Sequence, residues 1–192
     1  EYSRNNSLRI MANNEKEFEK LGDNMEKMGL LDVKRVVVIP IDGSPHSMRA
    51  YNWYKDHLFK DGDLLNFVHV IQPAYVGPSY GIGLVSSSPS ISAKEVSSGL
   101  DAAIAEGKQL GKKFMNLAHE RNIPCKAFLQ IDNQAGHAIC HFTHEHKGDI
   151  IVMGNRGLGK VKRTFLGSCS DHTLHHCHIP VVIVPPPKDD CK

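Results

Sequence analysis

Apolar residues along this chain gather in five short runs, and between the runs they recur every three or four positions. The first run, RVVVIPI at 35–41, is apolar on both faces, as a central parallel strand covered by helices on either side should be. The others are LLNFVHVI at 64–71, Cys125 to Ile131, DIIVM at 149–153 and HIPVVIVP at 178–185, the last stopped by prolines. Helical spacing fills the intervals. Ser44 then Pro45 provides an N-cap and a first-turn proline for a helix running to about Leu58. From Ala93 to Asn122 a buried face runs through Leu100, Ile104, Gly107, Gly111, Phe114 and Ala118, and Asn122 and Pro124 end it. Asp132-Asn133 turns into a helix near Gln134 to Glu145, which Lys147-Gly148 ends, and a final helix runs from Ser168 to about Cys177. Strands alternating with helices predict a single α/β domain, a doubly wound, five-stranded parallel sheet of Rossmann-like type.

Three stretches fall outside this alternation. Residues 1–32 carry no strand pattern. Phe18, Leu21, Met25 and Met28 are spaced as on an amphipathic helix, and Asn14 with Glu17 would form a capping box. An N-terminal extension, helical or disordered, is expected there, ahead of a domain at 33–187 and a tail at 188–192. Gln72 to Ser92, rich in Gly, Pro and Ser, reads as a long loop, either mobile or folded over a ligand as a lid.

The chemistry concentrates after the fourth run, in MGNRGLGKVKRTFLGSCS at 153–170. Strand, glycine-rich loop and helix start follow one another, an arrangement suited to gripping phosphates. Gly154 and Gly157 leave the backbone open to close approach, and Gly167-Ser168 opens a helix whose N–H groups attract an anion. Ser168 would cap that helix or offer its hydroxyl to a phosphate oxygen. Arg156, Lys160, Lys162 and Arg163 place four cations in the loop with no acid among them. The loop lacks the Gly-Lys-Ser/Thr of a Walker A motif and does not match the dinucleotide G-x-G-x-x-G fingerprint.

The spacing Gly154-x2-Gly157-x9-Gly167-Ser168 resembles the ATP-binding signature of the universal stress protein family. IVMGNRG, HIPVVIVP and the turn IDGSPHSMRAYNW are close to that family's wording, and the resemblance covers about Val33 to Pro185. It implies the strand order 3-2-1-4-5. It also implies ATP contacts at Pro40, Ile41, Asp42, Val70, Met153, Gly154, Asn155, Arg156, Gly157, Gly167, Ser168, Cys169 and Ser170. In this scheme Pro40, Asp42 and Val70 hold the adenosine, and the glycines and serines cradle phosphates carrying Mg2+ or Mn2+. The bland alternative for Asp42 is a turn-closing or helix-capping side chain. Replacing Gly154 and Gly157 by bulkier residues is expected to abolish binding and leave the fold intact. The family commonly pairs its last strand across a two-fold axis, so a homodimer through Ile179–Val184 is expected. The function implied is a nucleotide-dependent stress-response switch with slow ATP hydrolysis at most. A weak ATPase and a non-nucleotide-binding dimeric scaffold, each with an unidentified protein partner, are the alternatives.

Composition narrows the field little. Of 192 residues 41% are hydrophobic and 23% charged, and Lys plus Arg exceeds Asp plus Glu by two, so nothing calls for a nucleic acid. No apolar run approaches the roughly 20 residues that span a bilayer. Five cysteines form no C-x-x-C pair, and no signal-type apolar core opens the chain, which favours reduced thiols and a cytoplasmic location. His69 lies within an apolar run and is expected to be a hydrogen-bonded core residue. His137, His141 and His144 share a helical face, and His172 and His176 form a second pair, with Cys169 three residues before. No four-ligand set emerges from them, so no protein-held metal is expected. Cys169 has no orienting partner for a nucleophile's base and is read as a backbone donor to phosphate.

Overall fold

The computed structural model describes residues 33–72, 93–155 and 166–187, with side chains of the long helix from Gly99 onward. The expectations for residues 1–32, the bulk of the Gln72–Ser92 loop, Arg156, Gly157 and the cations at 160, 162 and 163 lie outside the described residues. Five strands form one parallel sheet: β1 (Arg35–Pro40), β2 (Asp63–Ile71), β3 (Cys125–Ile131), β4 (Ile150–Gly154) and β5 (Val181–Val184). Their order is β3-β2-β1-β4-β5. The register sets Val38 of β1 beside Asn66 of β2 on one side and Ile151 of β4 on the other.

Alternation along the central strands splits the core in two. Val37 and Ile39 of β1, Ile41 just after it, and Leu65 and Phe67 of β2 pack against Tyr51, Tyr54, Phe114 and Ala118. These last four come from α1 (Pro45–His57) and α2 (Ala93–His119). Val38, Val68, Ile151 and Met153 point the other way and meet Ile139, Cys140, Phe142 and Cys177. That face is covered by α3 (Ala135–Glu145) and α4 (Ser168–His176). Helices thus lie on both faces, and β1, paired on both sides, is where the winding reverses.

Element ends differ slightly from the spacing-based expectation. α2 stops at His119 because Asn122 takes φ 55° and the Ile123 amide reaches back 3.0 Å to the Ala118 carbonyl. α3 begins at Ala135, with Gln134 extended as its N-cap. β5 begins at Val181 rather than His178, because His178 has φ 54° and Pro180 has no N–H to give to the ladder. Of the proposed Ile179–Val184 edge, four residues are strand, and Ile179 instead packs on the α3/α4 core.

Candidate functional site

A cleft of about 530 Å3 opens at the carboxyl ends of β1, β2 and β4, at the point where the winding reverses. Pro40, Ile41, Asp42, Val70, Met153, Gly154, Gly167, Ser168, Cys169 and Ser170 all line it. These ten residues come from four separate stretches of sequence, and the fold brings them to one place. Asn155 is the described exception, absent from the lining. Its amide donates to the Val184 carbonyl at 3.0 Å, and its carbonyl accepts from Arg49 at 2.6 Å.

Asp42 sits in the turn leaving β1. Its Oδ1 accepts from the Ser44 amide at 3.1 Å and from the Ser44 hydroxyl at 2.5 Å, closing the turn, while Ser44 Oγ accepts in turn from the Ser47 amide. The turn-closing role is therefore present, on a side chain that also faces the cleft. At the end of β2, His69 Nδ1 lies 2.8 Å from the Ile41 carbonyl, the hydrogen-bonded core role expected for it.

The two helices on the far side start differently from α1. Ser44 caps α1 through its side chain, but neither Gln134 before α3 nor Gly167 before α4 makes a side-chain cap bond. Neither helix start is therefore closed by its N-cap side chain. Ser168 is the first residue of α4, exposed, so it does not cap the helix. Ser170 is buried, and its hydroxyl donates to the Gly167 carbonyl at 2.9 Å, so it shapes the turn. A Cβ built on Gly167 would meet nothing closer than Ser170 Oγ at 3.7 Å. Gly154 differs. A Cβ there would lie 2.2 Å from the His46 carbonyl oxygen, so its missing side chain admits the first turn of α1. Replacing Gly154 would disturb the fold, contrary to the expectation that it would stay intact.

The sequence reading missed the third turn of the site. Gln72, Asn133, Gln134, Gly136 and His137 also line the cleft, as do His46 and His172. The signal was present: Ile131-Asp132-Asn133-Gln134 repeats the pattern of Ile41-Asp42-Gly43-Ser44, a strand end followed by Asp and a helix start. Asp132 Oδ1 accepts from the Gln134 amide at 2.8 Å, as Asp42 accepts from Ser44. That amide holds the Asp132 carboxyl below the usual carboxylate range; slight burial opposes this, and His137 assists it at 3.1 Å. Gln72 Nε2 donates to the Asn133 carbonyl at 3.0 Å and ties this turn to the end of β2.

The histidines are dispersed rather than convergent. His141 pairs with Glu145, His144 Nε2 lies 2.8 Å from the Cys177 carbonyl, and His172 stacks on His176 with ring centres 4.3 Å apart. Among the described residues no group of three or more His, Cys, Asp or Glu is placed to hold a metal ion. Nor is any described helix long and apolar enough to cross a membrane. Burial pushes the Cys177 thiol up to about 12, with Cys140 beside it adding to the rise, so it stays protonated.

The model of the universal stress protein family matches residues 34–185. The chain belongs to the universal stress protein family. It is 29% identical over 171 residues to Universal stress protein PHOS34 of Arabidopsis thaliana, covering 81% of this chain and 64% of that one. It is 29% identical over 154 residues to Universal stress protein MJ0531 of Methanocaldococcus jannaschii, covering 80% and 84%. The chain thus spans just under two thirds of the first of these relatives and most of the second. The fold matches universal stress protein UspA from Lactobacillus plantarum with TM-score 0.61 at 18% identity, covering 78% of this chain and 97% of that one. A universal stress protein family protein from Arabidopsis thaliana with AMP bound matches at TM-score 0.55 and 16% identity, covering 81% and 94%. The universal stress protein from Archaeoglobus fulgidus in complex with dAMP matches at TM-score 0.52 and 14% identity, covering 79% and 98%.

Proposed function

We propose that the cleft binds an adenine nucleotide, ATP by preference, and that occupancy serves as a conformational signal in stress response. The observation that carries this reading is the convergence on one cleft of ten residues from four segments, beside two helix starts without side-chain caps. Backbone N–H groups and helix dipoles so placed suit phosphate oxygens. The AMP and dAMP held by two proteins of the same fold support the choice of an adenine nucleotide.

In this reading Pro40, Ile41, Asp42 and Val70 hold the adenosine. Met153 forms the wall where β4 ends. The amides of Ser168, Cys169 and Ser170 meet the phosphates, with Gly167 leaving room for them, and the motif's spacing in the sequence assigns Arg156 and Gly157 to the same role. Asp42 is the carboxylate among the described lining residues, and its Oδ1 is already engaged by Ser44. Mg2+ or Mn2+ would therefore travel on the phosphates rather than on a protein ligand set. With no spare carboxylate beside the phosphate end among the described residues to orient water, we read hydrolysis as slow at most. β5, at the edge of the sheet, is the surface through which two copies would pair, since an exposed strand edge needs a cover. A sedimentation mass of one chain would exclude the dimer.

The test is to denature freshly purified protein and identify the released nucleotide by chromatography and mass, followed by titration with ATP and Mg2+. Near-stoichiometric ATP is the expected result. ADP or AMP would shift the reading toward turnover. A flat titration after an empty release would overturn nucleotide binding and leave a dimeric scaffold.

A further inference from the structure

We infer that the turn between β3 and α3 reads a ribose hydroxyl of the bound nucleotide, through the carboxamides of Asn133 and Gln134. The inference rests on the nucleotide-binding reading above and adds to it a contact with the sugar. In that reading the nucleoside lies at Ile41, Asp42 and Val70 and the phosphates at the start of α4, which leaves another wall of the cleft without a role. That wall is Asn133 to His137, with Gln72 beside it.

The wall is braced on two sides. Toward β2, the Asp132 amide donates to the Ile71 carbonyl at 3.1 Å, and Gln72 Nε2 donates to the Asn133 carbonyl at 3.0 Å. Toward α3, Asp132 Oδ1 accepts from the Gln134 amide at 2.8 Å, and Asp132 Oδ2 lies 3.1 Å from His137 Nδ1. Ile71 and Gln72 are the two residues that follow Val70 in the chain. The turn is therefore anchored beside the nucleoside end of the cleft rather than the phosphate end.

What the turn presents there is neutral and can both give and take hydrogen bonds. The ties that Asn133 and Gln134 make to the turn use their backbone atoms, and among the described residues neither carboxamide has a partner. A carboxamide offers an acceptor oxygen and two N–H donors. Phosphate oxygens only accept, so they would leave the carboxamide oxygen unused. A ribose hydroxyl donates and accepts, and so matches both halves of the group. A base edge also offers both, but it is planar and fixed, and reading it takes a side chain held in register. Asn133 and Gln134 are exposed, and their ends are not held. That suits a hydroxyl, which rotates to meet its partner.

The experiment measures, by calorimetry in the presence of Mg2+, the affinities of the wild type and Asn133→Ala/Gln134→Ala for four nucleotides. These are ATP, its 2′-deoxy and 3′-deoxy analogues, and inosine triphosphate, which keeps the ribose and changes the base. The wild type should prefer ATP by about fivefold to the analogue that lacks the contacted hydroxyl, the effect of one neutral hydrogen bond. The double variant should bind ATP and that analogue equally, by losing affinity for ATP and keeping it for the analogue. Its choice between ATP and inosine triphosphate should match the wild type's. Alanine keeps the backbone atoms that brace the turn, and either single substitution carries the test if the double variant folds poorly. Equal wild-type affinity for ATP and both deoxy analogues, or a preference that survives in the variants, would overturn the inference. A variant that loses instead the choice between ATP and inosine triphosphate would overturn it as well, since the turn would then read the base. A wild type that binds none of the four would overturn the nucleotide reading itself, and this inference with it.

Discussion

The two ends of the sheet treat polar groups in opposite ways. At the amino end, Asp63 is buried where β2 begins, and three neighbours donate to it. Arg35 grips it with Nε at 2.8 Å and Nη2 at 2.6 Å, the Tyr54 hydroxyl donates at 2.7 Å, and the Lys60 amide donates at 3.0 Å. Burial pushes the Asp63 carboxyl up, but the bonds from Arg35, Tyr54 and the Lys60 amide outweigh it, and the net falls below the usual carboxylate range. The Tyr54 hydroxyl moves the other way, raised by burial and by its bond to Asp63. At the carboxyl end, Asp42 is exposed and bonds to Ser44 two residues on, and two helices begin without side-chain caps. A saturated, buried charge network stabilises. Helix starts without side-chain caps at a cleft are placed to meet an anion. Acidic residues at two strand ends thus carry different consequences, and exposure separates them.

The sharpest way to break this contrast is at Asp63. Asp63→Ala leaves the Arg35 charge and the Tyr54 hydroxyl without their partner and should cost about 3–5 kcal/mol in denaturant unfolding, with nucleotide affinity unchanged in the protein that remains folded. Because the folded carboxyl titrates below its unfolded value, its contribution is present above the unfolded value of about 3.9 and is lost as pH falls below it. Asp63→Asn should therefore flatten the acid side of the stability profile. An acid limb as steep as the wild type's would show that other carboxylates govern it. Next comes Gly154→Ala, whose new carbon meets the backbone of His46 and should cost about 2–3 kcal/mol, read as a lowered denaturant midpoint. Gly167→Ala is the smallest in stability, under about 1 kcal/mol, since its carbon makes only ordinary contact. It should weaken nucleotide binding by about tenfold, or 1.4 kcal/mol, measured by titration. Equal losses of stability at the two glycines would erase the distinction between a packing glycine and a cradle glycine.

The strands and their order were legible because each is an uninterrupted apolar run bounded by turn chemistry, and the family wording supplied the order. Most of the cleft was legible too, since strand-end and helix-start residues carry a recognisable spacing. What sequence spacing could not reveal is which neighbour uses a missing side chain. Gly154 and Gly167 belong to the same motif, yet one admits the α1 backbone and the other faces the cleft. The β3 turn was missed because Asp132-Asn133-Gln134 contains no glycine to advertise close approach. Its role rests on Gln72 and His172 arriving from elsewhere in the chain. The start of β5 was misplaced because an apolar run does not report that His178 turns left-handed.

Arg49 carries a further lesson, about tolerance to change. One prong of its guanidinium meets His46, while the other meets the carbonyls of Asn155 at 2.6 Å and Val184 at 3.3 Å. A single side chain thereby joins the first helix to the ends of β4 and β5. Lysine, with one nitrogen on a flexible stem, cannot serve both prongs at once. Position 49 is thus a place where like charge is a poor substitute, and drift there would loosen the point from which the cation-rich segment after Asn155 departs.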